Sequence, residues 1–469
     1  MSYLYIAAAH KSSGKTTVSV GLTAALVKRG LNLQPFKKGP DYIDPLWLTR
    51  AAGRPCYNLD FFTQTHEEII TTFKGKLGET DFGLIEGNKG LFDGVDVEGS
   101  DSNAALASLL GAPVVLVIDT GGMTRGIAPL IKGYLDFDPS VNICGVILNK
   151  VGGSRHETKL RGALERYTDT QVLGALGRDA KLEIPERHLG LIPANEATGN
   201  TAADTMIARL GSAVSAGVNL NHIIEVANTG KLPASLTAKL ARRPSSGTQA
   251  DLRIAIARDA AFGFYYQDDL EAFERAGAEL IPFDTLNSTH LPMANGLFIG
   301  GGFPETHLEA LSSNRNLLNE IRQALAAGMP AYAECGGLMY LSRCIQWQGE
   351  SRDMVGTVPA DVIVGKRPQG RGYMIVEETG ESPWPRSSNF SSGGKPGIPA
   401  HEFHYARLEN LNADQVFTHR VLRGTGIDGH HDGLVINNLV SGFAHHRNSL
   451  ANPWVDRFVE FVRSCRFAG

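Results

Sequence analysis

Cysteine is scarce in this chain and poorly spaced for joint chemistry. Its five cysteines (Cys56, Cys144, Cys335, Cys344 and Cys465) are scattered over 469 residues without a CxxC pair. That excludes a zinc or cluster signature and a disulfide framework, and it suits a reducing cytoplasm. Long apolar runs are also missing; none reaches the length that spans a membrane. Excess positive charge is absent, since 45 Lys+Arg stand against 49 Asp+Glu, a net charge of −4. Nucleic acid is therefore not an expected partner. The opening Met1-Ser2-Tyr3-Leu4-Tyr5-Ile6 lacks a basic leader and runs directly into a motif, so no signal peptide is expected. No internal repeat is evident. With 42% hydrophobic and 20% charged residues, the expectation is a soluble cytoplasmic protein. Its length calls for two to three domains.

What is present begins with a strand, a loop and a helix. Tyr3 to Ala9 is apolar, His10-Lys11-Ser12-Ser13-Gly14-Lys15-Thr16-Thr17 follows, and a helical pattern runs from Val18 to Arg29. Backbone N–H groups of such a loop, here around Ser13, Gly14 and Thr17, cradle phosphates. The lysine reaches the terminal phosphates and Thr16 can ligate Mg²⁺. Next, Lys37-Lys38-Gly39-Pro40-Asp41-Tyr42-Ile43-Asp44-Pro45 reads as a rigid, proline-bounded loop, a candidate site for metal and anionic substrate. Phe82 to Glu86 reads as a buried strand ending in an acid, where a nucleotide fold holds Mg²⁺, with Asp93 nearby. Thr16, Asp41 and Glu86 are the candidate metal ligands. Continuous apolar runs at 113–119, 143–149 and 171–176 alternate with helical stretches, which implies a doubly wound parallel sheet. Asn149 ends one of these strands, either as an amide that reads adenine or as a simple turn residue.

Polar, proline-containing residues 242–250 read as a linker. They divide an expected domain at 1–241 from a second at 251–469. The second opens with a strand at Arg253–Asp259, a helix at Asp268–Ala276 and a strand at Glu279–Phe283. Gly300-Gly301-Gly302 at a strand end exposes N–H groups suited to an oxyanion. One helix and one strand later comes Ala331-Tyr332-Ala333-Glu334-Cys335-Gly336-Gly337. A cysteine at a tight strand-to-helix turn meets the positive end of the helix dipole, which favours the nucleophilic thiolate. The base for that thiol lies among His419, His430, His431, His445 and His446, and spacing does not choose between them. His401-Glu402-Phe403-His404-Tyr405 fits either half.

These motifs, with Arg187-His188-Leu189-Gly190-Leu191 and Arg258-Asp259-Ala260-Ala261-Phe262, resemble the cobyrinic acid a,c-diamide synthase family over nearly the whole chain. The resemblance implies an α/β protein: a dethiobiotin synthetase-like P-loop domain fused to a flavodoxin-like class I glutamine amidotransferase domain. It implies ATP-dependent, glutamine-dependent amidation of the a and c acetates of a tetrapyrrole through an acyl phosphate. It implies Cys335 as nucleophile and His445 as its base, with His446 the alternative, and oxyanion contacts at Gly301, Gly302 and Gly336. It further implies that Asp41, Asp44, Glu86 and Asp93 serve the synthetase site, where Tyr42 and Lys89 are further candidates, and it suggests a homodimer. Three positions depart from the family. Arg447 stands where a second histidine is common, and Asn88-Lys89 replace apolar residues, placing a charge beside the substrate carboxylate. A sirohydrochlorin-type substrate such as sirohaem, or an ATP-binding regulatory protein with an inactive glutaminase domain, are the competing readings.

Overall fold

The computed structural model describes residues 1–78, 80–187, 190–196, 200–232, 250–385 and 397–466. The chain forms two compact units, Met1–Arg242 and Arg243–Gly469. Residues 242–249 of the expected linker, and His188 and Leu189 of one family motif, lie outside the described residues.

The first unit is built on seven strands: β1 (Ser2–Ala8), β2 (Leu33–Lys38), β3 (Tyr57–Leu59), β4 (Phe82–Glu86), β5 (Val114–Asp119), β6 (Ile143–Val151) and β7 (Val172–Gly177). They lie in the order β3-β2-β4-β1-β5-β6-β7, every neighbouring pair parallel. A parallel sheet needs cover on both faces, which is why its strands read as unbroken apolar runs. Tyr3 to Ala8 of β1 are all buried, shared between separate apolar clusters on the two faces. The order reverses beside β1, and ligands bind beyond the carboxyl ends of strands at such a switch point.

Helix α1 (Lys15–Lys28) starts three residues earlier than its apolar pattern, because Gly14 takes a left-handed conformation that turns the chain directly into the helix. It is buried almost all round. One face packs on the helix Asn200–Gly217, where a Cβ on Gly21 would lie 2.5 Å from Val214 Cγ2 and 2.9 Å from the Leu210 carbonyl.

The segment 35–45 differs from expectation. Its lysines belong to β2, and helix α2 (Ile43–Ala52) already contains Asp44 and Pro45. Proline is tolerated in a first helical turn, where its missing N–H costs nothing. Asp41 Oδ1 accepts the free amides of Ile43 (2.9 Å) and Asp44 (3.0 Å), so this acid starts the helix.

The second unit holds a nine-stranded sheet. Its order is Ala278–Phe283, Leu252–Ala257, Gly296–Ile299, Ala331–Glu334, Leu439–Gly442, His431–Ile436, Val416–Arg423, Gly370–Glu378 and Ile398–His404. The first five run parallel and the rest are antiparallel. The doubly wound core was expected; the antiparallel extension was not. Nor was a four-stranded sheet formed by Glu350–Asp353, Ser342–Trp347, Val358–Val364 and Ala406–Glu409.

Because the Gly21 contact includes a backbone carbonyl that cannot swing aside, Gly21→Ala is expected to destabilise the first unit by about 1–3 kcal/mol. Calorimetry of the full chain should show the change in one transition only.

Candidate active sites

The loop after β1 has two residues in left-handed conformations, Ser12 (φ 65°) and Gly14 (φ 89°). No side chain fits at Gly14, since a Cβ there would lie 2.1 Å from Asn149 Nδ2. That amide donates to the Ser13 carbonyl at 2.9 Å, and the Ser13 hydroxyl donates to the His10 carbonyl at 2.8 Å. Asn149 thus spends one N–H bracing the loop from behind. Thr17, the third residue of α1, is half-buried. The Lys15 ammonium donates to the Lys89 carbonyl at 2.6 Å. Burial, and then the Lys37 charge, hold its pKa down at about 8.

Around Thr16 the structure gathers four charged groups. The Thr16 hydroxyl contacts Glu86 Oε1 (2.8 Å) and Asp44 Oδ2 (3.3 Å). The Lys37 ammonium lies 2.5 Å from Asp44, 3.1 Å from Glu86 and 3.8 Å from Asp41. Lys37 is the residue that sequence reading passed over. Its signal is positional: it sits beside Glu86 across the β2–β4 pair, where two apolar strands end in opposite charges. Burial alone would drive Lys37 neutral, yet Asp44, Glu86 and Asp41 hold its pKa well above the usual lysine value. Burial raises Glu86 to about 7, despite Lys37, and raises Asp41 to about 6, assisted by the Asp44 charge. Asp44 is also pushed up by burial, but Lys37 outweighs this and leaves it below the usual carboxylate range.

Among the described residues no group of three or more His, Cys, Asp or Glu forms a ready-made metal cage. The acids are instead drawn around the Lys37 ammonium. Glu86 Oε2 is nevertheless buried with no hydrogen-bond partner. An orphaned carboxylate oxygen beside a threonine hydroxyl suits a hard cation.

Asp93 is exposed and accepts the Gly90 amide through Oδ2 (2.9 Å), closing the turn that carries Lys89. The Lys89 side chain is exposed and its backbone is left-handed (φ 34°). Tyr42 is buried at the start of α2. Beyond β5 and β6 lies a cavity of about 640 Å³, lined by His10, Asp119, Gly121, Met123, Lys150, Arg178 and Glu183. The Lys150 ammonium ties its wall to the phosphate loop through the Ser12 carbonyl (3.0 Å) and Asp119 (2.8 Å). Apart from His10 of the loop motif, none of these lining residues was singled out in the sequence, because the ends of four strands, β1, β5, β6 and β7, bring them together.

In the second unit Cys335 sits between the strand Ala331–Glu334 and the helix Gly336–Leu341. Its backbone is strained, with φ 49° and ψ −100°. Its amide donates to the Gly442 carbonyl at 2.7 Å. His445, three residues beyond Gly442, hydrogen-bonds the Cys335 thiol through its imidazole. The backbone of His445 is pinned by a reciprocal pair with His401: His401 N–H to His445 O (3.1 Å) and His445 N–H to His401 O (2.7 Å). Burial would keep this imidazole neutral, but the Cys335 and Glu334 contacts outweigh burial and raise it to about 10.

His446 points elsewhere. Asn452 Nδ2 lies 3.1 Å from its Nδ1, its ring lies 5.0 Å from that of His419, and burial lowers it to about 3. The turn of His430 and His431 is organised by Asp428. Gly301 and Gly302 pair with Phe264 and Phe262 beside the nucleophile. A Cβ on Gly301 would sit 2.5 Å from His445 Cε1, and one on Gly336 would sit 2.9 Å from the Gly302 amide nitrogen. Glycine at these positions lets the strand-end turn, the nucleophile and the base approach one another.

Two family models divide the chain between them. Residues 4–192 match the CobQ/CobB/MinD/ParA nucleotide binding domain, and residues 253–451 match the CobB/CobQ-like glutamine amidotransferase domain. Among curated proteins, the chain is 44% identical to a cobyrinate a,c-diamide synthase of Magnetococcus marinus, covering 98% of this chain and 97% of that one. It is 38% identical to the protein of that name from Methanosarcina acetivorans (94% and 91% covered) and 38% to that of Caldanaerobacter subterraneus subsp. tengcongensis (97% and 97%).

Lys37→Met removes the counter-charge of buried Asp44 and Glu86. The expected loss is about 3–5 kcal/mol at pH 8. At pH 5 the loss should be smaller, because Glu86 is protonated there. Denaturant unfolding at the two pH values reads the difference.

Proposed function

From the premise that this chain belongs to the cobyrinate a,c-diamide synthase family, we propose a division of its chemistry between the two centres. The protein is an amidating ligase that takes its nitrogen from glutamine. The reading adds that ATP is the energy source and that the a and c acetates of cobyrinate are the acceptors. It includes a cytoplasmic homodimer that binds no nucleic acid. Among the described residues no helix is long and apolar enough to cross a membrane.

Cys335 is the nucleophile in this scheme. The hydrogen bond between its thiol and the His445 imidazole, at a strained strand-to-helix turn, is the observation that carries the reading. The thiolate attacks the side-chain amide of glutamine. The glycine N–H groups at Gly301, Gly302 and Gly336 are the candidates for holding the oxyanion, and His445 protonates the departing ammonia. Water then releases glutamate from the thioester.

In the first unit the phosphate loop takes the triphosphate, with Ser13 and Asn149 keeping its backbone in shape. The nucleoside end fits the cavity bounded by Asp119 and Lys150. A bound Mg²⁺ would be held by Thr16 and Glu86, with Asp41 and Asp44 in reach, and would supply charge neutralisation at the phosphates. Lys15 leaves the Lys89 carbonyl to meet the terminal phosphates, and Lys37 adds a second buried charge beside the transferring group. An acetate oxygen of the macrocycle attacks the terminal phosphorus and ADP departs. Ammonia then displaces phosphate from the acyl phosphate and forms the amide. Tyr42, Lys89 and Asp93 edge the acceptor side, where the exposed Lys89 ammonium suits a neighbouring carboxylate.

Cys335→Ala is expected to abolish glutamine-dependent turnover and to retain turnover with free ammonia; failure of ammonia to rescue it would overturn the division of labour. Mass spectrometry of products from cobyrinate, sirohydrochlorin and sirohaem, each with ATP, Mg²⁺ and glutamine, counts amides as OH-for-NH₂ exchanges. Cobyrinate is expected to gain two.

A further inference from the structure

Position 447, two residues past His445, holds an arginine that is committed elsewhere. Its guanidinium pairs with Asp268 at 2.7 Å and lies over the Tyr266 ring, 5.0 Å from the centroid. His445, bonded to the Cys335 thiol, also calls for an orienting acid. A buried imidazole that must take and return a proton works only if one tautomer is selected and the imidazolium is stabilised. Among the described residues, Asp432, Glu402 and Glu334 are buried acids of this unit. Asp432 is committed to main chain, its two oxygens accepting the amides of Phe443 and Ala444 at 3.0 Å each. Glu402 is committed likewise, to the amides of Thr425 (2.8 Å) and Gly426 (2.9 Å).

The third acid is Glu334, the residue before the nucleophile. Tyr332 and Glu334 are two apart on one strand and therefore share a face. The Tyr332 hydroxyl donates to Glu334 Oε1 at 2.7 Å, and the His446 amide donates to the same oxygen at 3.0 Å. The carboxylate is thus fixed through one oxygen. The other, Oε2, lies 3.5 Å from His445 Nδ1. Catalytic hydrogen bonds are often this long before substrate arrives.

We propose that Glu334 is the positioning residue of the glutaminase centre: its Oε2 accepts the Nδ1 proton of His445, which leaves Nε2 for the sulfur. The triad is then assembled from a single dipeptide, Glu334-Cys335, on one strand and His445 beyond its neighbour. The arginine at 447 is no sign of a dead site, because the carboxylate comes from the nucleophile's side. This inference rests on Cys335 and His445 forming the glutaminase pair.

The test is glutamine hydrolysis by the full-length enzyme across pH, for the wild type, Glu334→Gln and Glu334→Asp. The wild type comes first: if it does not hydrolyse glutamine, or Cys335→Ala does so equally well, the reading of the site fails before Glu334 is reached. Given an active wild type, Glu334→Gln should lower kcat by about 10²-fold or more while KM for glutamine stays within about threefold. Removing the negative charge destabilises the imidazolium, so the basic limb of the kcat/KM profile should move to lower pH. Glu334→Asp should recover part of kcat and keep the basic limb near its wild-type position. Ammonia-dependent synthesis should be unchanged in both, which reports that the other centre is intact. An unmoved basic limb with a kcat loss under about threefold in Glu334→Gln would overturn the inference. Should Glu334→Gln fail to fold, Glu334→Asp decides alone: a retained limb with partial kcat supports the role. A limb displaced to lower pH, or full loss of kcat, opposes it.

Discussion

A backbone with φ 49° and ψ −100° costs an ordinary residue about 1–3 kcal/mol, and Cys335 is held in it. Much of the second unit serves to keep it there. The parallel register places Glu334 opposite Gly442, so the Cys335 amide falls on the Gly442 carbonyl. On the other side, Gly337 presses against Ile299, whose carbonyl would lie 2.3 Å from a Cβ at that position. Strain of this kind persists only where neighbours over-determine the conformation. Here two flanking strands do so, and they hold the buried Cys335 at the carboxyl end of its strand beside the His445 imidazole.

The first unit solves a different problem: how to keep three carboxylates and two ammonium groups together before any phosphate or metal arrives. Lys37 answers part of it by standing among the acids. Glu86, raised to about 7, and Asp41, raised to about 6, answer the rest by taking up protons at and just below neutral pH. Such a centre is poised electrically, because an incoming cation displaces protons rather than meeting fixed charge. Lys15 rests meanwhile on a neutral carbonyl, a partner that a phosphate outbids.

The local parts of this arrangement were readable in the chain, and the non-local parts were not. Gly14-Lys15-Thr16, Glu86 and Glu334-Cys335-Gly336-Gly337 announce themselves because strand, turn and helix follow within a few residues. Lys37 did not, since its meaning lies in the pairing of β2 with β4. Choosing His445 from five late histidines required the pairing of Leu439–Gly442 with Ala331–Glu334, which no spacing encodes. Pro45 misled for a local reason: a proline that ends a helix and one that begins it look alike until the capping role of Asp41 is seen. The strands Ser342–Trp347 and Glu350–Asp353 escaped notice because they are short and lack the two-residue alternation of a strand, whereas Val358–Val364 does alternate but carries a proline and an aspartate.

Nucleophile and base are tied to each other across one strand pair, by the Gly442 carbonyl under the Cys335 amide and by the His446 amide on Glu334, and not through the chain that separates them in sequence. The four-stranded sheet at 342–364 and 406–409 lies outside that tie. Lengthening the turn at Gln348-Gly349 would cost little more than loop-closure entropy, which grows slowly with length. That appendage can therefore drift in size and sequence between lineages while the distance from sulfur to imidazole stays fixed.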